Sequence, residues 1–211
     1  MSETLQWVAM LDESYASDNL YQIPTLDLAW QAHGVIGMFR IWGKSARKSL
    51  VPGDTYAFYT WDYAFSALIK HPEAIPLSGC AAIVEPNFST SPTMPFPVAL
   101  YGIFLKRKIA RYVQTRGIRV IADLEVAPTF ADLNLLGLPQ GWSSFAQRAT
   151  RGKPISILKH QFELACDTLH PTATPYCLVY GGGKAVQTAC RKYHWVWIPE
   201  HMSAIKDRQR S

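Results

Sequence analysis

Seven short apolar runs recur along the chain, and they constrain its fold more than any other feature of the sequence. Each is rich in β-branched or aromatic residues and closes at a Gly, a Pro or a carboxylate. Continuous apolar runs of this length are typical of strands buried on both faces. The predicted strands are Val35–Trp42, Thr55–Trp61, Cys80–Val84, Arg119–Leu124, Ser144–Gln147, Tyr176–Tyr180 and Trp195–Ile198.

Helical patterns fill the gaps between these runs. The predicted helices are Asp62–Lys70, Val98–Arg116 with Gly117 as its cap, Ile155–Leu169 and Gly183–Tyr193. Strands that alternate with helices indicate an α/β fold with a largely parallel sheet of βαβ units. The sheet is either a small or incomplete (β/α) barrel or an open doubly wound sheet. The barrel is favoured because no Gly-rich dinucleotide fingerprint follows the first strand.

Length and composition favour one domain that covers residues 1–211. The chain is 48% hydrophobic and 18% charged, so it is globular rather than disordered. We expect residues 1–20 to be peripheral and residues 202–211 to form a basic tail. The net charge of +5 is compatible with a polyanionic partner without requiring one.

The cysteines and the absence of long apolar segments indicate a cytoplasmic protein. Cys80, Cys166, Cys177 and Cys190 form no CxxC pair and no zinc-finger spacing with histidine, so we expect buried, reduced thiols. The first residues lack the pattern of a secretory signal. No stretch is long enough to span a membrane, and we expect no membrane partner.

Carboxylates follow several of the predicted strands. Asp62 follows the second strand, Glu85 the third, and Asp123 and Glu125 end the fourth. In parallel α/β folds, functional groups gather at the carboxyl ends of the strands. These four residues are therefore the candidate catalytic residues, with the alternative that Asp62 only caps its helix.

Two kinds of chemistry suit such carboxylates. Together with Asn87, which also follows the third strand, they could ligate a hard cation such as Mg²⁺, or they could act as acid and base in hydrolysis. Asp123 and Glu125 have the same strand parity and point to one face. On an interior face they would need a counter-charge or a metal. The sequence leaves the metal unassigned.

A glycine-rich turn follows the sixth strand and precedes a helix. Its residues, Gly181, Gly182, Gly183 and Lys184, would expose backbone N–H groups at a positive helix end, which suits phosphate binding. The turn is not a Walker A loop, because Ala185 follows the lysine. The alternative is a tight turn in which the glycines only permit a positive φ.

The longest predicted helix is strongly basic. Lys106, Arg107, Lys108 and Arg111 could form a solvated face that follows a nucleic-acid backbone, and these are the candidate nucleic-acid contacts. The alternative is the ordinary soluble face of an outer helix.

Several short motifs occur in a fixed order that resembles an uncharacterised domain family common in phages, plasmids and other mobile elements. The resemblance spans roughly residues 21–200. Its motifs are Asp62-Tyr63, Pro72, Pro86-Asn87-Phe88-Ser89, Met94-Pro95, Gly117-Ile118 with Val120-Ile121, and Tyr180-Gly181. The chain departs from the family where Asn87 replaces an aspartate. If that aspartate is catalytic in the family, the departure implies altered activity here.

Three functions stay open on the sequence. The first is a nucleic-acid-associated protein of a mobile element or defence system, with metal-dependent phosphodiester chemistry; the mobile-element setting is what the resemblance implies. The second is a barrel-like hydrolase or transferase for a small phosphorylated or sugar-like ligand. The third is a non-catalytic subunit of a larger complex.

Overall fold

The seven predicted strands all form, and they join in chain order into one sheet in which each pairs in parallel with the next. The computed structural model describes residues 14–43, 51–150 and 152–200. The α/β fold of βαβ units is thus confirmed. The strands are Phe39–Ile41 (β1), Thr55–Ala57 (β2), Ala82–Val84 (β3), Arg119–Asp123 (β4), Ser144–Ala149 (β5), Tyr176–Gly181 (β6) and Val196–Ile198 (β7).

Helices connect most of the strands. They are Ala74–Leu77 (α1), Phe96–Gln114 (α2), Ile155–Leu169 (α3) and Gly183–Tyr193 (α4), so the predicted bounds of α3 and α4 are confirmed. The chain leaves α2 at Gly117, as predicted. Its φ of +80° lets Gly117 N–H donate to Gln114 O at 3.0 Å and Ile118 N–H to Val113 O at 3.1 Å.

The predicted helix Asp62–Lys70 is wrong as one continuous element. Two 3₁₀ turns, Asp62–Ala64 and Ser66–Ile69, replace it. They are separated by Phe65, whose backbone leaves the helical region at φ −130° and ψ 3°. This break lets the buried Phe65 ring pack against Phe58 and Phe88, with centroid distances of 5.6 and 5.4 Å.

The sheet curls into a half-barrel whose concave face combines alanines with larger aromatic and aliphatic side chains. Ala57, Ala82 and Ala146 lie there on three different strands and are fully buried. The curl brings Phe39 of β1 to 5.8 Å from Tyr180 of β6 between ring centroids, although four strands separate them. The predicted barrel-like shape is therefore confirmed in its incomplete form.

The convex face packs against the helices and holds the larger core. Tyr56, Phe58, Ile83 and Phe145 point outward from the strands into a cluster shared with helix residues such as Ile109. Strand residues alternate between this cluster and the concave one, as the period of two requires. Both faces of the sheet are therefore covered by core.

Several expectations concern the ends of the chain and its cysteines. Residues 1–13 of the expected peripheral segment and the predicted tail 202–211 lie outside the described residues. The four cysteines are free thiols, and Cys166 alone among them is half-buried rather than buried. Within the described ranges, no helix has both the length and the apolar character needed to cross a bilayer.

The turn between β6 and α4 provides a test of packing at the sheet edge. A Cβ atom on Gly182 (φ +78°) would lie 2.4 Å from Val186 Cγ2, whereas one on Gly183 (φ +68°) would contact nothing within 4 Å. We predict that Gly182→Ala lowers the free energy of unfolding by about 1–3 kcal/mol more than Gly183→Ala. Denaturant unfolding followed by circular dichroism measures both. Equal losses would mean that backbone strain alone acts at both positions.

Candidate functional site at the carboxyl edge

A buried ion pair ties the carboxyl end of β3 to helix α2. Glu85 follows β3 directly, and its Oε2 accepts from Arg107 Nη1 and from Asp123 N–H, the latter at 3.0 Å. Arg107 also donates to Asn134 O and, at 3.0 Å, to Leu136 O. Because Glu85 and Arg107 are fully buried, the guanidinium fixes two strand ends and the 134–136 loop together.

Asp123 lies beside this pair at the end of β4, the middle strand of the seven. Tyr59 donates its hydroxyl to Oδ1 at 3.0 Å, and Asn87 Nδ2 donates to Oδ2 at 2.9 Å. Lys106 Nζ lies 3.3 Å from Oδ2 and 2.7 Å from Asp123 O. We call Glu85, Lys106, Arg107 and Asp123 the buried charge cluster. Its two anions and two cations balance formally.

Burial disfavours the charged forms of Asp123 and Lys106, the second ion pair of the cluster. Desolvation raises the pKa of Asp123 above 3.8, against the Lys106 charge and the Asn87 hydrogen bond, which lower it. Desolvation likewise lowers the pKa of Lys106 below 10.5, against the attraction of Asp123 and Glu85. The pKa of the Tyr59 hydroxyl is raised well above 10, first by burial and then by the charge of Asp123. Tyr59 is thus held as a neutral donor.

Glu125 belongs to the predicted catalytic set and is a partly exposed carboxylate next to the cluster. Its side chain is 21% exposed and forms an ion pair with Lys153, which is 10% exposed. Its backbone N–H donates to Asp123 Oδ1 at 3.3 Å. Desolvation raises the pKa of the Glu125 carboxyl above 4.5 although Lys153 lowers it, and the charge of Asp123 also raises it. A carboxyl group placed in this way can exchange protons with a ligand at the edge.

Asp62 does not cap a helix, which was the alternative to its predicted catalytic role, and its carboxylate joins two loops instead. Its carboxylate accepts from Ser89 N–H at 3.0 Å and from Ser89 Oγ–H at 2.9 Å. It does not cap the turn that it begins, where Trp61 is the N-cap residue and makes no side-chain bond. Asp62 therefore ties the loop after β2 to the loop after β3.

The predicted solvated face on α2 is wrong for three of its four cations. Lys106, Arg107 and Lys108 are only 2%, 0% and 4% exposed. Lys106 and Arg107 point inward because the strand-end carboxylates need counter-charges. Lys108 Nζ lies 5.7 Å from the centroid of Phe104. Arg111 is partly exposed, 3.9 Å from Asp27 Oδ2.

The glycine turn has the backbone geometry expected of it. Gly181, Gly182 and Gly183 have φ values of +88°, +78° and +68°, and Lys184 is exposed in the first turn of α4. The Trp197 indole N–H donates to Gly181 O at 2.8 Å, which fixes the turn to β7. Phosphate binding at this turn stays a prediction.

A metal centre needs a group of ligands that the described part of the chain does not bring together. No three His, Cys, Asp or Glu side chains lie close enough there to hold an ion. Glu85, Asp123 and Glu125 contact Arg107, Lys106 and Lys153 instead. The counter-charge that a buried carboxylate requires is thus supplied by side chains.

Sequence reasoning missed part of this site. The sequence places Tyr59 only in a strand and identifies Asn87 as a strand-end group but not as a hydrogen-bond partner of Asp123. It gives no role to Lys153 or Asn134. One signal was available. Four carboxylates at adjacent strand ends of a half-barrel require cations, and the longest helix offers three in a row.

Residues 15–194 match the family model described as a domain of unknown function, DUF4417, and the chain belongs to that family. No curated protein and no solved structure matches the chain. The family match contains the whole buried charge cluster together with Glu125 and Lys153.

The buried ion pair makes a strong prediction about stability. Arg107→Ala would leave Glu85 charged and without its cation, so the free energy of unfolding should fall by about 3–5 kcal/mol. The control is Arg116→Ala, just beyond the end of the same helix, which removes an exposed cation that stacks on Tyr112. It should change the free energy of unfolding by less than about 1 kcal/mol. Thermal and denaturant unfolding measure both. Similar losses would contradict the assignment of Arg107 as a buried counter-charge.

Asn87 tests whether an amide donor is needed next to Asp123. Asn87→Asp would place a second carboxylate where Nδ2 now donates at 2.9 Å, and we expect a loss of about 1–3 kcal/mol at neutral pH. The neighbouring charge would raise the pKa of the new carboxyl in the folded state. Stability should therefore recover as pH falls and the group is protonated. A loss that stays the same between pH 7 and pH 4 would contradict this account.

Proposed function

We propose that the carboxyl edge of the half-barrel is the active site of a hydrolase or transferase for a phosphate-bearing ligand, with Glu125 as its general acid and base. The observation that supports this is the placement of Glu125. It is the partly exposed carboxylate above a buried, charge-balanced cluster, at the edge where parallel α/β folds carry their chemistry.

The chemistry follows from the surroundings of Glu125. As a carboxylate, it takes the proton of an attacking hydroxyl group while the new O–P bond forms. As the P–O bond to the leaving group breaks, the carboxylic acid returns that proton to the leaving oxygen. Lys153 orients the carboxylate and contributes positive charge to an anionic ligand, and Arg148 adds to the positive field at Glu125.

Asp123 and Lys106 act in this proposal as positioning residues. Asp123 accepts the backbone N–H of Glu125, and Asn87 Nδ2 donates to Glu125 O at 3.2 Å. These contacts fix the backbone from which the Glu125 side chain projects. Neither Asp123 nor Lys106 is exposed, so neither meets the ligand directly.

The setting of this chemistry is also a proposal. The ordered motifs resemble a family of mobile elements, and free thiols suit the cytoplasm, so we place the enzyme in a cytoplasmic transaction of a mobile element or defence system. The buried cations of α2 are not part of that proposal. Phosphate contacts are assigned instead to the strand ends.

The test compares Glu125→Gln with Glu163→Gln, which removes the carboxylate of an exposed Lys159–Glu163 pair on α3. The probes are p-nitrophenyl phosphate, bis(p-nitrophenyl) phosphate and a labelled mixed-sequence oligonucleotide. We expect conversion of at least one probe, a 10²–10⁴-fold lower kcat in Glu125→Gln, estimated roughly, and no change in Glu163→Gln.

Two further readouts sharpen the test. Because the pKa of Glu125 is raised, the acid limb of kcat/KM should lie above pH 4.5 and should disappear in Glu125→Gln. Rates should be the same in EDTA and in Mg²⁺, because side-chain cations already neutralise the carboxylates. Conversion of none of the probes, or full activity of Glu125→Gln, would overturn the proposed function.

A further inference from the structure

Exposed aromatic rings cluster at the carboxyl edge of the sheet. They are Tyr21, Trp61, Tyr63, Phe96 and Tyr101, which we call the aromatic surface. Trp61 and Tyr63 are 69% and 79% exposed, and the other three are close to half exposed. The other exposed large apolar side chains among the described residues carry no aromatic ring. Single exposed apolar residues are ordinary, but five rings at one edge are not.

Three segments of the chain form this surface. Trp61 and Tyr63 follow β2, and Asp62 between them is bonded to Ser89 in the loop after β3. That loop leads into α2, which begins at Phe96 and carries Tyr101 in its second turn, so the start of the helix lies at the same edge. Tyr21 joins them through Phe96, at 6.0 Å between ring centroids.

Cations occupy the neighbouring strand ends. Arg148 lies near the end of β5, Lys153 follows that strand, and Lys184 follows β6. Glu125 faces them from the end of β4 and pairs with Lys153. The edge therefore has rings at the ends of β2 and β3 and an excess of positive charge at the ends of β5 and β6, in a chain of net charge +5.

We propose that the aromatic surface stacks the unpaired bases of a single-stranded nucleic acid whose phosphates contact Arg148, Lys153 and Lys184. This inference rests on the proposed function and names its substrate class. Rings that accept base faces and cations that follow the backbone are the two parts that single-strand recognition uses. The phosphate that follows the stacked bases is then brought to the edge that holds Glu125.

The number and spread of the rings favour a strand over other ligands. One free nucleotide has one base, whereas five rings on three segments offer several stacking positions. A duplex presents its phosphates but keeps its base faces stacked inside, out of reach of these rings. Deoxyribose and ribose strands share the required chemistry, and the experiment separates them.

The experiment is fluorescence anisotropy with labelled oligo(dT) and oligo(rU) of about 20 nucleotides, a duplex of the same length, and an abasic strand with the same phosphates. Trp61→Ala and Tyr63→Ala should each weaken single-strand binding by at least about fivefold. The matched control is Leu77→Ala. Leu77 is 82% exposed in α1 and precedes β3, so it lies away from the carboxyl edge.

The expected pattern is single-strand binding that weakens steeply with salt, with the duplex and the abasic strand bound at least about tenfold more weakly. Equal affinity for the abasic strand or the duplex would overturn the inference, as would no binding at low salt. If a mononucleotide competed at a concentration similar to that of the oligonucleotide, the ligand would be a single nucleotide and not a strand. Sedimentation velocity tests a second copy of the chain as the occupant. If the unaltered protein were a dimer and Trp61→Ala a monomer with unchanged oligonucleotide affinity, the surface would be a dimer interface and the inference would be overturned.

Failure of this inference is distinguishable from failure of the proposed function. Glu125→Gln should bind the strand at least as tightly as the unaltered protein, because it loses a negative charge beside the phosphates. Strand binding without conversion of any probe would retain the inference and overturn the acid–base function. Conversion of aryl phosphates without strand binding would do the reverse.

Discussion

The guanidinium of Arg107 lies fully buried beneath the carboxyl ends of β3 and β4. The residues at this edge of the sheet are organised around it. A buried guanidinium is tolerated only where acceptors surround it. Glu85 supplies a carboxylate and the 134–136 loop supplies two carbonyl groups. Glu85 in turn accepts the N–H of Asp123, so one side chain of α2 is linked by hydrogen bonds to two strand ends and a loop. The positions of Asp123 and then Glu125 follow from that contact.

The curl of the sheet and the composition of the edge depend on each other. Alanines on the concave face let β1 approach β6, and the interior is then closed by the stacked rings of Tyr59 and Tyr180, 5.6 Å apart. With the interior filled, a ligand can reach the sheet only at its edges. Tyr59 connects the concave core to the buried charge cluster, because its ring belongs to that core while its hydroxyl donates to Asp123. Packing of the concave face therefore holds the base of the proposed active site.

Local pattern was sufficient to predict the strands and the bounds of α3 and α4, because apolar runs, helical periodicity and turn residues all indicated the same elements there. It was insufficient at Phe65, where a tertiary contact broke a helix, and on α2, where periodicity cannot tell a solvated cation from a buried counter-charge. The site was predicted in part. The strand-end carboxylates were found because their position follows from topology. Their partners Asn87, Tyr59 and Lys153 come from other segments, and only the packed fold brings those segments together.

The charge balance of the cluster explains why an amide fits at position 87. Glu85 and Asp123 are balanced by Arg107 and Lys106, in surroundings where desolvation already raises the pKa of Asp123 and lowers that of Lys106. A third carboxylate at position 87 would add an unbalanced negative charge unless it carried a proton. The Asn87 amide donates to Asp123 Oδ2 and to Glu125 O without changing the net charge of the cluster. Asn87 thus leaves the buried charge cluster next to Glu125 electrically balanced, and this role does not require it to take part in the chemistry.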